Sequence, residues 1–204
     1  MEFQMKSVFI VLLLASLSTG GIAQKIGVLP FEDASGVGAQ FGENVAKFIR
    51  SEFLKNKKVT PKFIQYKAAE GEAATVDVDK AIELGKKNGV DFVVIGTILE
   101  AEASSSSSGV GGVSILGQSV GSSLRTVSAT ITLQGDLVSV KEGKLVESFR
   151  SSGSKTDASV GADVSTKWGS VNSDKQSGDN SPNAKALREA VEDLVEQMTK
   201  KLQE

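Results

Sequence analysis

The sequence predicts an α/β fold, a layered α/β sandwich carrying two extended β-hairpin or loop segments. Three observations predict it. Short apolar runs alternate with helical stripes in the order strand–helix–strand–helix–strand as far as Gly96, the pattern of a layered α/β domain. Residues 125–149 then change to period two with a tight turn. Finally, the chain closes on an amphipathic helix.

Residues 25–33, "KIGVLPFED", read as a strand. From Gly38 to Lys55 the apolar positions are Phe41, Val45, Phe48, Ile49 and Phe53, spaced by three and four as on one helix face. Lys62 to Lys67, after Pro61, reads as a short second strand through Phe63, Ile64 and Tyr66. Asp77 is placed to cap a helix that runs to Asn88 and stops at Gly89. The apolar run from Asp91 to Gly96 reads as a strand buried on both faces. Val127, Ala129, Ile131 and Leu133 alternate with Ser128, Thr130, Thr132 and Gln134 in a half-buried strand. That strand continues to Val140, turns at Lys141-Glu142-Gly143-Lys144, and returns through Leu145, Val146 and Phe149. Ser181-Pro182 opens the last helix, whose apolar face holds Ala184, Leu187, Val191, Leu194, Met198 and Leu202. The expected core is Val28, Phe31, Phe41, Val45, Phe48, Ile49, Phe53, Phe63, Phe92, Val94, Ile131, Leu133, Leu187, Val191 and Leu194.

The N-terminal stretch has a different character. Lys6 precedes an apolar run from Val8 to Leu17 and the small-residue ending Gly21-Ile22-Ala23. A run of about 10 apolar residues with such flanks fits a secretory signal peptide, residues 1–23, better than a buried core helix. A membrane-spanning helix needs about 20. Removal leaves residues 24–204, about 180 residues, as a single exported domain. The chain has no cysteine and no histidine. Disulfides, thiolate metal sites, a cysteine nucleophile and a Ser-His-Asp triad are thereby ruled out. A net charge of −2 gives no electrostatic reason to expect nucleic acid.

The glycines after the first strand raise a question of phosphate binding. A dinucleotide fingerprint needs its first glycine at the strand's end and an acid at the next strand's tip. Here Phe31 to Ser35 intervene before Gly36 and Gly38, the second strand ends Tyr66-Lys67-Ala68, and no Lys-Ser/Thr follows. The residues read instead as a structural loop, in which Asp33 or Ser35 accepts hydrogen bonds from loop amides and Gly36 and Gly38 let the backbone turn. Glu32 and Asp33 are neighbours on a strand and point to opposite faces, so they do not form a general acid–base pair. No catalytic, cofactor-binding or metal-binding residue is nominated.

Two Ser/Gly-rich segments, about 103–124 and 151–181, fit neither pattern. As flexible surface loops they are long for a compact domain, and such loops are usually functional or disordered. Within the second, Ala158, Val160, Ala162, Val164 and Trp168 alternate with small polar residues. The period and the length, about 11 residues, match a strand of a membrane β-barrel. Soluble loops or hairpins and a membrane- or partner-contacting strand both stand as readings at this point.

The pieces "IGVLPFEDASG", "KAIELGKKNGVDFVVIGTILE", "GKLVESFRSSGSK" and "NAKALREAVEDLVEQM" resemble the curli production assembly/transport (CsgG-type) family over roughly residues 25–200. The α/β core is also similar to the TolB N-terminal domain and to LpoB-type activators. The resemblance implies a ring-shaped oligomer at the outer membrane, in which each subunit pairs a periplasmic α/β domain with two β-hairpins joined to those of its neighbours in one barrel. Those hairpins correspond here to about 98–134 and 146–181. It implies a passive secretion or assembly component with no cofactor, whose partners are copies of itself, secreted or envelope proteins, and the outer membrane. No constriction residue is carried over, because the stretch from Phe41 to Val59 reads as helix. The alternative is a soluble periplasmic interaction module that regulates an envelope enzyme or assembly, with the Ser/Gly segments and the open sheet face as its binding surface.

Overall fold

The computed structural model describes residues 23–66, 75–109, 113–115, 118–120, 123–160, 168 and 180–204. The signal-peptide reading therefore lies outside the described residues except for Ala23. The strands are β1 (Gln24–Val28), β2 (Glu32–Asp33), β3 (Val59–Phe63), β4 (Phe92–Gly109), β5 (Val113–Ile115), β6 (Gln118–Val120), β7 (Ser123–Ser139) and β8 (Lys144–Val160). The helices are α1 (Ala39–Phe53), α2 (Val78–Asn88) and α3 (Pro182–Lys201). The main sheet has the order β3-β1-β4-β7-β8, with β2 paired to β4; β5 and β6 form a separate two-stranded ribbon. Strands β3, β1 and the start of β4 are parallel, whereas β4, β7 and β8 are antiparallel.

Apolar alternation along β4 sorts the helices into two layers. Val94 and Ile98 join a core with Phe41, Val45, Phe48, Ile49 and Phe53 of α1 and Leu187, Val191, Leu194 and Met198 of α3. Val93 and Ile95 join a second core with Ala81 and Ile82 of α2, together with Val138 and Val140. Helices α1 and α3 therefore cover one face of the sheet and α2 the other, the α/β sandwich that the alternation predicts. Local signals set the helix ends. The Asp77 side chain accepts from the Lys80 amide (2.7 Å) at the start of α2, and Gly89 ends it with φ 66°. Ser181 accepts from the Ala184 amide (3.2 Å), with Pro182 in the first turn of α3.

Several expectations change. The first strand breaks into β1 and β2, because between them the Phe31 amide donates to the Gly42 carbonyl of α1 (3.2 Å) instead of to a strand. The second strand is Val59–Phe63, so Pro61 lies inside it. Strand β3 is at the sheet edge, the place where a missing N–H costs no ladder bond. Phe63 and Phe92 are half-buried where full burial was expected: one closes β3, the other opens β4, and both pack only partly on the core. The Ser/Gly segments, which the sequence leaves open between loops and hairpins, form paired strands over much of their described length. Strand β4 does not stop at Gly96 but runs through Ser104–Ser108, paired residue by residue with β7, and β8 runs on through Ser151–Ser154. Two bulges adjust the register, with Leu99 and Val146 as the extra residues. The first returns Ala101 and Ala103 to the face that Val94 and Ile98 already occupied.

Val94 is fully buried between β1 and β7. Val94→Asp places an unpaired charge there at a cost of several kcal/mol, comparable to a domain's total stability of about 5–15 kcal/mol. The expected result is loss of a cooperative thermal transition by circular dichroism; a normal melt would refute the strand's placement.

Candidate functional site

The three long antiparallel strands create the most extended surface of the described chain. At about 3.3 Å per residue, the part of β4 past Ile98 reaches on the order of 35 Å. Its two faces differ in kind. One lies under α3: Val127, Ala129 and Ile131 of β7 are buried there, and Ser151, Gly153, Lys155 and Asp157 of β8 meet the helix. The Ser151 hydroxyl donates to the Ala190 carbonyl at 2.7 Å. Gly153 is a steric requirement, since a Cβ on it would lie 2.0 Å from the Ala186 carbonyl oxygen. Farther along, Lys155 pairs with Glu189 (3.0 Å) and Lys185 with Asp157 (2.7 Å). The Lys155 contact, together with the Ser154 amide, holds the Glu189 carboxyl below its usual range against a small desolvation cost.

The opposite face carries ranks of hydroxyls in register across the strands. Thr132 meets Ser152 (3.0 Å), Thr130 meets Ser154 (3.2 Å) and Ser128 meets Thr156 (2.9 Å). On β4, Glu100, Glu102, Ser104 and Ser106 stand opposite Thr132, Thr130, Ser128 and Thr126. Thr132 also donates to Glu100 (3.1 Å). Each such cross-strand pair contributes about 0.2–1 kcal/mol. A lipid-facing barrel strand needs an apolar band about 25 Å tall. As far as Ala158, β8 offers none: one face bears Ser152, Ser154 and Thr156, and the other is covered by α3. Among the described residues no helix is long and apolar enough to cross a membrane.

The residues proposed as a contact strand are dispersed. Ala158 is exposed on the hydroxyl face, and Val160 is the last residue of β8, in register with Leu124. Ala162 and Val164 lie outside the described residues. Trp168 corrects the expectation: it is 4% exposed and packs on Phe41, with ring centroids 5.8 Å apart and planes at 48°. Burying a large aromatic in the α1–α3 core outweighs continuing the alternation. The hydroxyl ranks were legible only on β7, where Ser128, Thr130 and Thr132 alternate with apolar residues; their partners on β4 and β8 sit in sequence that reads as loop.

The glycine loop is organised by a carboxylate. Asp33 Oδ1 accepts from the Ser35 amide (3.0 Å) and hydroxyl (2.5 Å), and Oδ2 accepts from the Gly38 amide. Gly38, at φ 128°, precedes the first turn of α1. Burial disfavours the charged form, but the hydrogen bonds from the Ser35 hydroxyl and from the Gly38, Ser35 and Gly36 amides outweigh it. The Asp33 carboxyl is thus held below its ordinary range. The loop amides are taken up by the protein's own anion.

The sequence model of the family described as curli production assembly/transport component CsgG matches residues 68–204. Among solved structures, hypothetical protein CT253 from Chlamydia trachomatis is 13% identical, covers 88% of this chain and 95% of its own, and has a TM-score of 0.46. The PelC dodecamer from Paraburkholderia phytofirmans is 11% identical over 85% of this chain and 89% of its own, with a TM-score of 0.42. The LpoB C-terminal domain from Escherichia coli is 13% identical over 70% and 91%, with a TM-score of 0.35. At these identities and scores, function does not follow from the structural likenesses. No curated protein matches the chain.

Two measurements check this geometry. Gly153→Val should cost about 1–3 kcal/mol by forcing α3 away from β8, and Ser151→Ala about 1 kcal/mol, both read from urea unfolding. Asp33→Asn should lower stability at neutral pH. Because the folded-state pKa of Asp33 is depressed, its contribution is complete above the unfolded value near pH 4 and disappears as pH falls through the folded value. The stability gap between wild type and variant should therefore close below about pH 4; a gap that persists in acid would contradict the loop's dependence on the charge.

Proposed function

The chain belongs to the CsgG family, and on that premise we propose that it is a non-enzymatic, self-associating secretion or assembly component of the bacterial envelope. It is exported, acts at the periplasmic side of the outer membrane, and works by presenting the β4–β7–β8 extension to other proteins. The observation that carries this reading is the division of that extension into a helix-covered face and an open hydroxyl face. The family match spans every described residue of the extension.

Two further features support self-association through this end of the sheet. Pro61 and Lys62 make the β3 edge a poor template for another strand. At the opposite edge, α3 side chains meet the β8 backbone at Arg150 and Ser154: Gln197 donates to the Arg150 carbonyl (3.4 Å), and the Ser154 amide donates to Glu189 (3.3 Å). Growth of the sheet by a neighbour accordingly falls to the outer part of β8. Copies joined there form a ring or arc whose hydroxyl faces stay wet.

A second reading, a soluble periplasmic module regulating an envelope enzyme or assembly, is favoured by the same polar faces of β8. Extraction and assembly size separate the two. An assembly component should fractionate with outer membranes and give a heat-labile ring of many subunits in native mass measurement. Release by osmotic shock as a monomer or small oligomer, without detergent, would support the regulatory module instead.

A further inference from the structure

Two adjoining cavities open at the foot of the extension, where the parallel strands β1 and β3 end beside β4. They share Pro30. The larger, about 410 Å³, is walled by Phe63 and Tyr66, with Glu43 and Gln65 at its side. The smaller, about 110 Å³, is bounded by Glu32, Thr75, Thr97 and Asp136. Among the described lining residues every charged group is a carboxylate. None of Glu32, Glu43 and Asp136 forms an ion pair among the described residues. Asp136 is the decisive residue: it is half-buried and lines the smaller cavity, and its shielded Oδ1 has no hydrogen-bond partner among the described residues. A carboxylate oxygen left in this way calls for a donor that the described residues do not supply.

The chemistry of the walls names the donor. Aromatic faces beside a carboxylate suit an ammonium or guanidinium group, which gains both from the ring quadrupole and from a charge-assisted hydrogen bond. The larger cavity falls within the size range of ligand sites. The sheet face then extends the pattern, since Asp136 stands on the same face as Thr132 and its partner Glu100, followed by Glu102. A divalent cation alone is a poorer match, because no three acidic residues converge among the described residues and the larger cavity is aromatic.

We propose that this double cleft binds a basic segment of a partner polypeptide, with one cationic side chain between Phe63, Tyr66 and Glu43 and the next against Asp136 and Glu32. The rest of the segment follows Glu100 and Glu102 along the hydroxyl face. This inference stands beside the assembly reading and does not require it.

Calorimetric titration of the full chain with an acetylated tetra-arginine amide, at low and at high salt, tests it. Binding should be salt-sensitive, weakened about tenfold by Glu43→Gln and by Asp136→Asn, reduced by Tyr66→Ala, and unchanged by the remote Glu196→Gln. The emission of buried Trp168 reports that each variant remains folded, and native mass measured on the same samples keeps loss of binding distinct from loss of assembly. Absence of binding, an equal loss in Glu196→Gln, or displacement of the peptide by calcium or magnesium at the same residues would each overturn the proposal.

Discussion

The close approach of α3 to β8 is the contact on which the rest of this structure depends. Helix and strand backbones meet where Gly153 faces Ala186 and Ala190, and the Ser151 hydroxyl fixes the spacing by donating to the Ala190 carbonyl. Small residues on both sides bring the helix near enough for Leu187, Val191 and Leu194 to join the α1 side chains in one core on the same face of the sheet. Gly135 serves the same end on β7, where a Cβ would lie 2.6 Å from Met198 Cε. Without that seal, the long strands would have water on both faces. Strands rich in serine and glycine have little intrinsic tendency to persist in that state.

The seal also explains why the extension has two unlike faces. The apolar half of the β7 alternation, Val127 to Leu133, is spent entirely on the core. What remains for other molecules is the polar half, Thr126 to Thr132, joined by the serines of β4 and β8. Such a surface is flat, wet and directional, with carboxylates at its foot and hydroxyls farther out. It favours contacts made through hydrogen bonds and charge over apolar docking. This is consistent with a component that meets other polypeptides in an aqueous compartment.

How much of this was legible depended on whether the stabilising contact is local. The α1 stripe, the Asp77 and Gly89 ends of α2, the Gly143 turn and the Ser181-Pro182 start of α3 are set by neighbours within a few residues, and all could be read directly. The serine-rich strands could not. Ser104–Ser108 are held by residues 124–128, and Ser151–Ser154 by residues 130–133 and by a helix some forty positions away, so their composition points to a loop while their pairing makes a sheet. The bulges at Leu99 and Val146 left no sequence mark. Trp168 was misread for the opposite reason: its place in an alternating run suggested a strand face, but one large aromatic near Phe41 gains more by entering the core. The paired cavities at the strand ends were invisible because Glu43 meets Tyr66 in one, and Glu32 meets Asp136 in the other, only through tertiary structure.

The loop before α1 shows how a familiar pattern can serve a different purpose. Glycines at the end of a strand and ahead of a helix leave several amides pointing to one spot, and that geometry attracts an anion whatever its source. Here the anion is the Asp33 carboxylate, two to five residues upstream of the amides it accepts from. Supplying the charge internally makes the loop a fixed joint between the first strand and the first helix. It also ties β2 to β4 at Thr97 and Ile98, the point where β4 leaves the domain body and the extension begins. The same few residues therefore brace the base of the projecting strands, and a motif that elsewhere holds a ligand here sets the direction in which those strands stand out from the core.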